Sequence, residues 1–384
     1  MSKEEFTNEE FQQRHSKLRK AMAEAQLDLF LVTSPISIHW LLGSRAKSYQ
    51  EFQCLFFPQD NKSLAIITRM AEVAEYCDTS LADEVFGWGG REPEKPITVV
   101  KQVMKDKKIN GLRIGLEVPY YYLGVHDYLD LKAYLGDSLV LEDADFIARL
   151  KHVKSSKELE YIRKAAEIGD AGLQKCVEVV REGMTEIEIS AEITYTLLKL
   201  GSDAAPSPMN IATGERNCYP HALPTHRKIK MGDDINTEWG SVYRRYVSTV
   251  GRQMCLGRPR PRVREIYNVV REACDASIAE VKHGVPASVP HDAAKKVIAD
   301  AGMDDYRTHL TGYSLAPGYP PSWCDTLELF GGSEKILEAG MVITIEPPIH
   351  IHKEKIGARI IDNVLVTENG AEILSRFTRD LIIL

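Results

Sequence analysis

The sequence has no Cys-x-x-Cys pair, no run of roughly 18 apolar residues and no long block of like charge. Its seven cysteines (Cys54, Cys77, Cys176, Cys218, Cys255, Cys274 and Cys324) are scattered and odd in number, which argues against a disulfide framework and a structural zinc site. A reducing cytoplasm is the expected compartment. Lysine and arginine number 48 against 55 acidic residues, a net charge of −7, so no basic footprint for nucleic acid exists. The acidic, polar N-terminus lacks the apolar core of a signal peptide. No Gly-x-Ser-x-Gly, phosphate-binding loop or Gly-x-Gly-x-x-Gly occurs, so serine-nucleophile, nucleotide and dinucleotide chemistry have no motif support.

What is present is an ordinary globular composition, 44% hydrophobic and 27% charged over 384 residues. Phe11, Leu18, Met22 and Ala25 recur at helical spacing, and Leu27 to Val32 follow as a buried strand. Short apolar runs at 54–57, 63–67 and 113–116 extend an α/β unit over residues 1–150. Ser155 and Ser156, with acidic residues just downstream, predict the N-cap of a helix to about Arg181. Residues 151–384 form the second domain. Helices near 186–200, 262–281 and 290–301, with extended stretches at 233–255, 341–350 and 358–368, predict an α+β domain with an antiparallel sheet.

Carboxylates inside apolar strand patterns carry the chemical signal, because a buried carboxylate must be paired, protonated or functional. Glu238 follows Ile235-Asn-Thr and precedes Trp239, whose indole is expected to desolvate it. Glu346 follows Met341-Val-Ile-Thr-Ile, where it either caps a turn before Pro347 or serves as a buried base or ligand. Arg359 interrupts a third such strand, with Ile361 and Asp362 beside it. His221 lies between Pro220 and Pro224 in a stiffened loop, His309 is a weaker candidate, and His350 with His352 reads as an exposed strand pair. Aromatics are only 8% of the chain, yet Tyr313, Tyr319 and Trp323 bunch with glycine and proline in residues 312–323, which reads as an irregular binding loop. Alternation along 243–255 puts Tyr243, Arg245 and Thr249 on one strand face and Arg244 and Arg252 on the other.

These segments, in this order, resemble the creatinase/aminopeptidase P family of the pita-bread fold. The similarity rests on the interdomain stretch 149–162, the loop 218–224 and the tract Gly340-Met-Val-Ile-Thr-Ile-Glu346-Pro. It implies a creatinase-type N-terminal domain, a C-terminal pita-bread domain with a curved antiparallel sheet, and a homodimer. Peptidases of this family hold two metal ions through two Asp, one His and two Glu. At those positions this chain is aligned with Glu238, Thr249, Tyr313, Glu346 and Ile361, so no dinuclear site and no cofactor are expected.

Loss of the ligands, with Tyr243-Arg-Arg-Tyr246 and the 312–323 tract, resembles the metal-free branch of creatinase and ectoine hydrolase. The main expectation is therefore a metal-independent hydrolase of a non-peptide C–N bond in a small amidine or guanidinium substrate. Glu238, His221 and Glu346 are its expected catalytic residues; Tyr313, Tyr319, Trp323, Tyr243, Arg245, Thr249 and His309 are its expected substrate contacts. The alternatives are an Xaa-Pro aminopeptidase or dipeptidase with an altered metal site, a lyase of the same fold, and a non-catalytic binding module.

Overall fold

The computed structural model describes residues 2–47 and 49–384 and divides into two compact units, Met1–Lys151 and His152–Leu384. The first unit is built on six strands: β1 (Leu29–Val32), β2 (Cys54–Pro58), β3 (Ala65–Arg69), β4 (Glu84–Trp88), β5 (Ile114–Glu117) and β6 (Leu139–Asp143). Their order in the sheet is β4-β3-β2-β1-β5-β6, with β1 antiparallel to β2 and parallel to β5. Helices α1 (Asn8–Glu24), α2 (Pro35–Leu42), α3 (Val73–Thr79), α4 (Pro96–Asp106), α5 (Val125–Leu135) and α6 (Phe146–Lys151) accompany the strands. All four residues of β1 are buried and two separate apolar clusters use its alternate side chains, which is why its sequence is an unbroken apolar run.

The second unit opens with α7 (Ser156–Val179) and α8 (Glu186–Lys199), each started by a capping box. Ser155 Oγ accepts the Glu158 amide at 3.1 Å while Glu158 returns a carboxylate oxygen to the Ser155 amide at 2.7 Å, a pairing that stabilises the helix start by about 1 kcal/mol. There follow β7 (Asn210–Thr213), β8 (Asp234–Tyr243), β9 (Tyr246–Cys255), α9 (Pro261–Glu280), α10 (Ser288–Asp300), β10 (Gly312–Tyr319) and β11 (Ser322–Leu329). The chain closes with β12 (Val342–Ile345), β13 (Ile349–Ile351), β14 (Ile356–Ala358), β15 (Asp362–Val366), β16 (Ala371–Ile373) and β17 (Ile382–Ile383).

The main sheet runs β16-β15-β12-β10-β9-β8-β7, antiparallel throughout that path, with β11 added to β10 and β17 to β9. One apolar cluster joins α7 and α8 to β7, β8 and β9; a second joins α9 and α10 to β11–β15. Residues 312–323 are not the irregular loop expected. They are most of the β10–β11 hairpin, turned at Pro320 and Pro321, because the glycines and prolines sit where strands crowd one another. At Gly312 an added Cβ would stand 1.9 Å from the Thr344 carbonyl oxygen of the neighbouring strand.

Candidate active site

β8 and β9 form a long hairpin whose two-residue turn, Arg244-Arg245, takes left-handed backbone at both positions (φ 52° and 70°). The register pairs Glu238 with Gly251 and Gly240 with Thr249, so these four share a face. Trp239, Tyr243 and Val250 lie on the other, packed towards α7 and α8, where Tyr243 meets Tyr161 edge-on. This corrects two expectations. Tyr243 does not share a face with Thr249, because the turn resets the alternation, and the Trp239 indole lies behind Glu238's strand rather than beside its carboxylate. Arg245 likewise remains at the turn, its guanidinium 4.3 Å over the Tyr319 ring.

On the Glu238 face, Trp323 lies over Gly240, where a Cβ would come within 2.9 Å of the indole. Glu238 is 5% exposed and ion-paired with Arg359, and it accepts a hydrogen bond from Asn210 Nδ2 at 2.6 Å. Burial lowers the guanidinium, the adjacent Glu238 carboxylate opposes that, and Arg359 stays charged at neutral pH. Both residues line a hollow, with Asn236, Tyr219, Pro220 and His350, whose free space of about 10 Å³ suits one water. Arg359 received no role from the sequence. The available signal was a charge between apolar strand residues, but its partner lies 121 positions away.

Glu346 follows β12, its amide donating to the Thr311 carbonyl at 2.7 Å. Its carboxyl is 1% exposed, accepts from Thr344 Oγ1 at 3.2 Å and hydrogen-bonds Tyr313. Desolvation outweighs both bonds and pushes its pKa up to about 7. Burial and the Glu346 charge hold Tyr313 well above its ordinary value, so its hydroxyl remains a donor, while Trp323 Nε1 donates to it at 3.0 Å. Three of the expected site residues are thus one connected group.

The histidines bridge the two carboxylate environments. His309 has ring centroids 5.6 Å from His221 and 6.4 Å from Tyr313. Burial, then Arg359 and His309, lowers His221; burial, then His221 and His309, takes His350 down to about 4. His350 is buried, contrary to the exposed pair expected with His352, because β13 turns inward and donates no solvent-facing alternation. Fully buried Glu186 anchors both ends of the loop carrying His221. It takes the amides and hydroxyls of Thr213 and Thr225, at 2.7 to 3.0 Å, and pairs with Arg216. Sequence reasoning missed this residue, since a carboxylate in a first helical turn ordinarily reads as solvated.

The chain matches the model of metallopeptidase family M24 over residues 160–368 and that of the creatinase/prolidase N-terminal domain over residues 14–150. An uncharacterized peptidase of Staphylococcus aureus strain bovine RF122 is 29% identical over 365 residues, 95% of this chain and 99% of the relative. Among solved structures, the prolidase from Thermococcus sibiricus superposes with a TM-score of 0.87 at 27% identity, covering 97% of this chain and 99% of its own. The Xaa-Pro dipeptidase from Bacillus anthracis gives 0.83 at 25% identity, covering 97% and 100%. The fold is the pita-bread arrangement expected from the resemblance. The expected function is overturned: family model, relative and structures are all peptidases by name, so the non-peptide amidine or guanidinium hydrolase gives way to a peptidase. The family name implies metal, and the residues here do not fit a dinuclear centre. Thr249 Oγ1 is taken by Asn363 Nδ2 at 2.8 Å, Tyr313 by Trp323 and Glu346, and Glu238 by Arg359, while Ile361 offers no donor. Among the described residues no group of three or more His, Cys, Asp or Glu could hold an ion.

Proposed function

We propose that this chain, which belongs to metallopeptidase family M24 and carries a creatinase/prolidase N-terminal domain, is a peptidase of short substrates with an altered metal site, cleaving the bond of an Xaa-Pro dipeptide or N-terminal Xaa-Pro unit. The observation that carries the reading is the retention of two buried carboxylates, Glu238 and Glu346, on a fold matched along its length by a prolidase. A freed pocket has little physical reason to keep buried acids. Residues 151–384 are assigned the chemistry and residues 1–150 the accessory domain.

Glu346, poised near neutrality, takes a proton from the attacking water and returns it to the leaving nitrogen as the carbonyl carbon gains the water oxygen and the C–N bond breaks. Tyr313 orients that carboxyl through its hydroxyl. His221, its pKa lowered by burial, accepts a proton beside His309, and the Trp323 face gives a pyrrolidine ring an apolar wall. Thr249, tied to Asn363, is assigned to shaping the wall rather than to contacting substrate. No described helix is long and apolar enough to cross a membrane, and the seven unpaired cysteines support a reducing compartment, the cytoplasm, for a small-molecule-binding homodimer.

The test is release of free proline from a panel of Xaa-Pro dipeptides and Xaa-Pro-Yaa tripeptides, followed by mass spectrometry. Turnover by the wild type, reduced by about 10²-fold or more in Glu346→Gln with unchanged circular dichroism, is the expected result. Peptide binding by calorimetry without turnover points to the non-catalytic module, and neither binding nor turnover removes the peptidase reading.

A further inference from the structure

The pocket faces a charge problem that the protein solves with its own side chains. Glu238 is a carboxylate with 95% of its surface removed from water, and an isolated buried carboxylate is strongly destabilising. Only one cationic side chain pairs with it among the described residues, Arg359, which is itself 6% exposed. The strand order brings them together: Asn236, two residues before Glu238 on β8, donates from Nδ2 to the Gly357 carbonyl at 3.2 Å, two residues before Arg359. The equivalent oxygens of the other aligned metal positions are engaged in the same way by neutral partners, Thr249 by Asn363 and Tyr313 by Trp323. Arg359 also keeps one terminal nitrogen, Nη1, buried and without a partner among the described residues, while the residue lines the small hollow next to Glu238.

We infer that Arg359 is the resident cation of this pocket, the fixed charge partner of Glu238, and that the pocket takes no divalent metal ion. The guanidinium is planar and always charged, so one nitrogen holds the carboxylate while the unpartnered one is left to donate to an acceptor oxygen entering the hollow. Arg359 is a positioning residue for Glu238 in this account.

Two substrate-free measurements test it. Wild type and Glu238→Gln are dialysed against millimolar Mn²⁺ or Zn²⁺ and their metal content per chain is compared. Negligible content in both is expected; one or two equivalents held by the wild type would overturn the inference. In thermal melts, Arg359→Met is expected to lower the midpoint by about 5 °C or more by stranding Glu238, and Glu238→Gln/Arg359→Met to recover a substantial part of that loss. Arg359→Lys, which keeps the charge but loses the planar fork, falls between. A midpoint for Arg359→Met equal to wild type overturns the pairing. Should that variant fail to fold, recovery of folded protein in the double variant supports the pairing and failure of both overturns it. Because no substrate enters either measurement, a negative result here leaves peptide hydrolysis standing, and the reverse holds equally.

Discussion

Glu238 on β8 and Glu346 just past β12 are both buried carboxylates, yet their surroundings are opposite. Glu238 faces a guanidinium and an amide; Glu346 faces the hydroxyls of Tyr313 and Thr344, with no ion pair among the described residues. The first environment favours an ionised group and fixes it, whereas the second leaves a proton shared near neutral pH. The contrast teaches that burial alone does not decide what an acid can do. The partner decides, and a pair of carboxyls whose environments diverge divides into an anchor and a proton carrier.

The sharpest way to break the contrast is Glu238→Leu, which leaves the Arg359 cation buried alone. It is expected to cost about 3–5 kcal/mol in urea unfolding, far more than a volume change of that size. A loss below 1 kcal/mol, roughly the scale of an exposed pair, would mean that Arg359 finds water instead.

Next in size is the pH dependence contributed by Glu346. Its pKa is raised in the folded state from 4.5 to about 7, so folded protein binds the extra proton and the corresponding stability is complete below pH 4.5 and lost as pH rises through 7. Relative to Glu346→Gln, the wild type should therefore lose about 2–3 kcal/mol between pH 4.5 and 8. The depressed pKa of His350 acts in the opposite sense, with stability present above 6.5 and lost as pH falls through about 4, but both proteins share it and the difference cancels it. A constant gap between wild type and variant would show that Glu346 is not proton-sharing.

The smallest effect sharpens the contrast rather than breaking it. The Tyr313 hydroxyl favours the ionised form of Glu346, so Tyr313→Phe should move the acidic limb of the pH–rate profile upward by up to about one unit, with no comparable change in Glu238-linked stability. A downward shift would reverse the assigned role of that hydrogen bond.

Much of the architecture was legible because it is local. Ser155 and Glu158 sit three residues apart and announce a helix start; the run before Glu346 is apolar because that strand is covered on both faces. The site was legible as a set of residue types, Glu238, Glu346, His221 and Tyr313, and less so as a geometry. A two-residue turn at Arg244 moved Tyr243 to the far side of the sheet, and no periodicity rule reports where such a turn falls. Arg359 gains its partner from a strand over a hundred residues away, and His350 is bonded to Thr308, 42 positions earlier. The substrate reading failed for a different reason: exchanged ligands at Thr249, Tyr313 and Ile361 were weighed as a change of bond type, whereas likeness along the whole chain lies with peptidases.

The clamp at Glu186 has a bearing on how this site can change. Because the carboxylate grips Thr213 and Thr225 by main chain and hydroxyl, the base of the His221 loop is held by these bonds, and at its tip the ties are to main chain, Ala222 and Leu223 accepting from the Ile211 amide and Arg216. The tip is an exchangeable cassette on a fixed mount. Variation at Tyr219, exposed and on the rim of the hollow, can change which side chain meets it while the sheet and its two acids stay where they are.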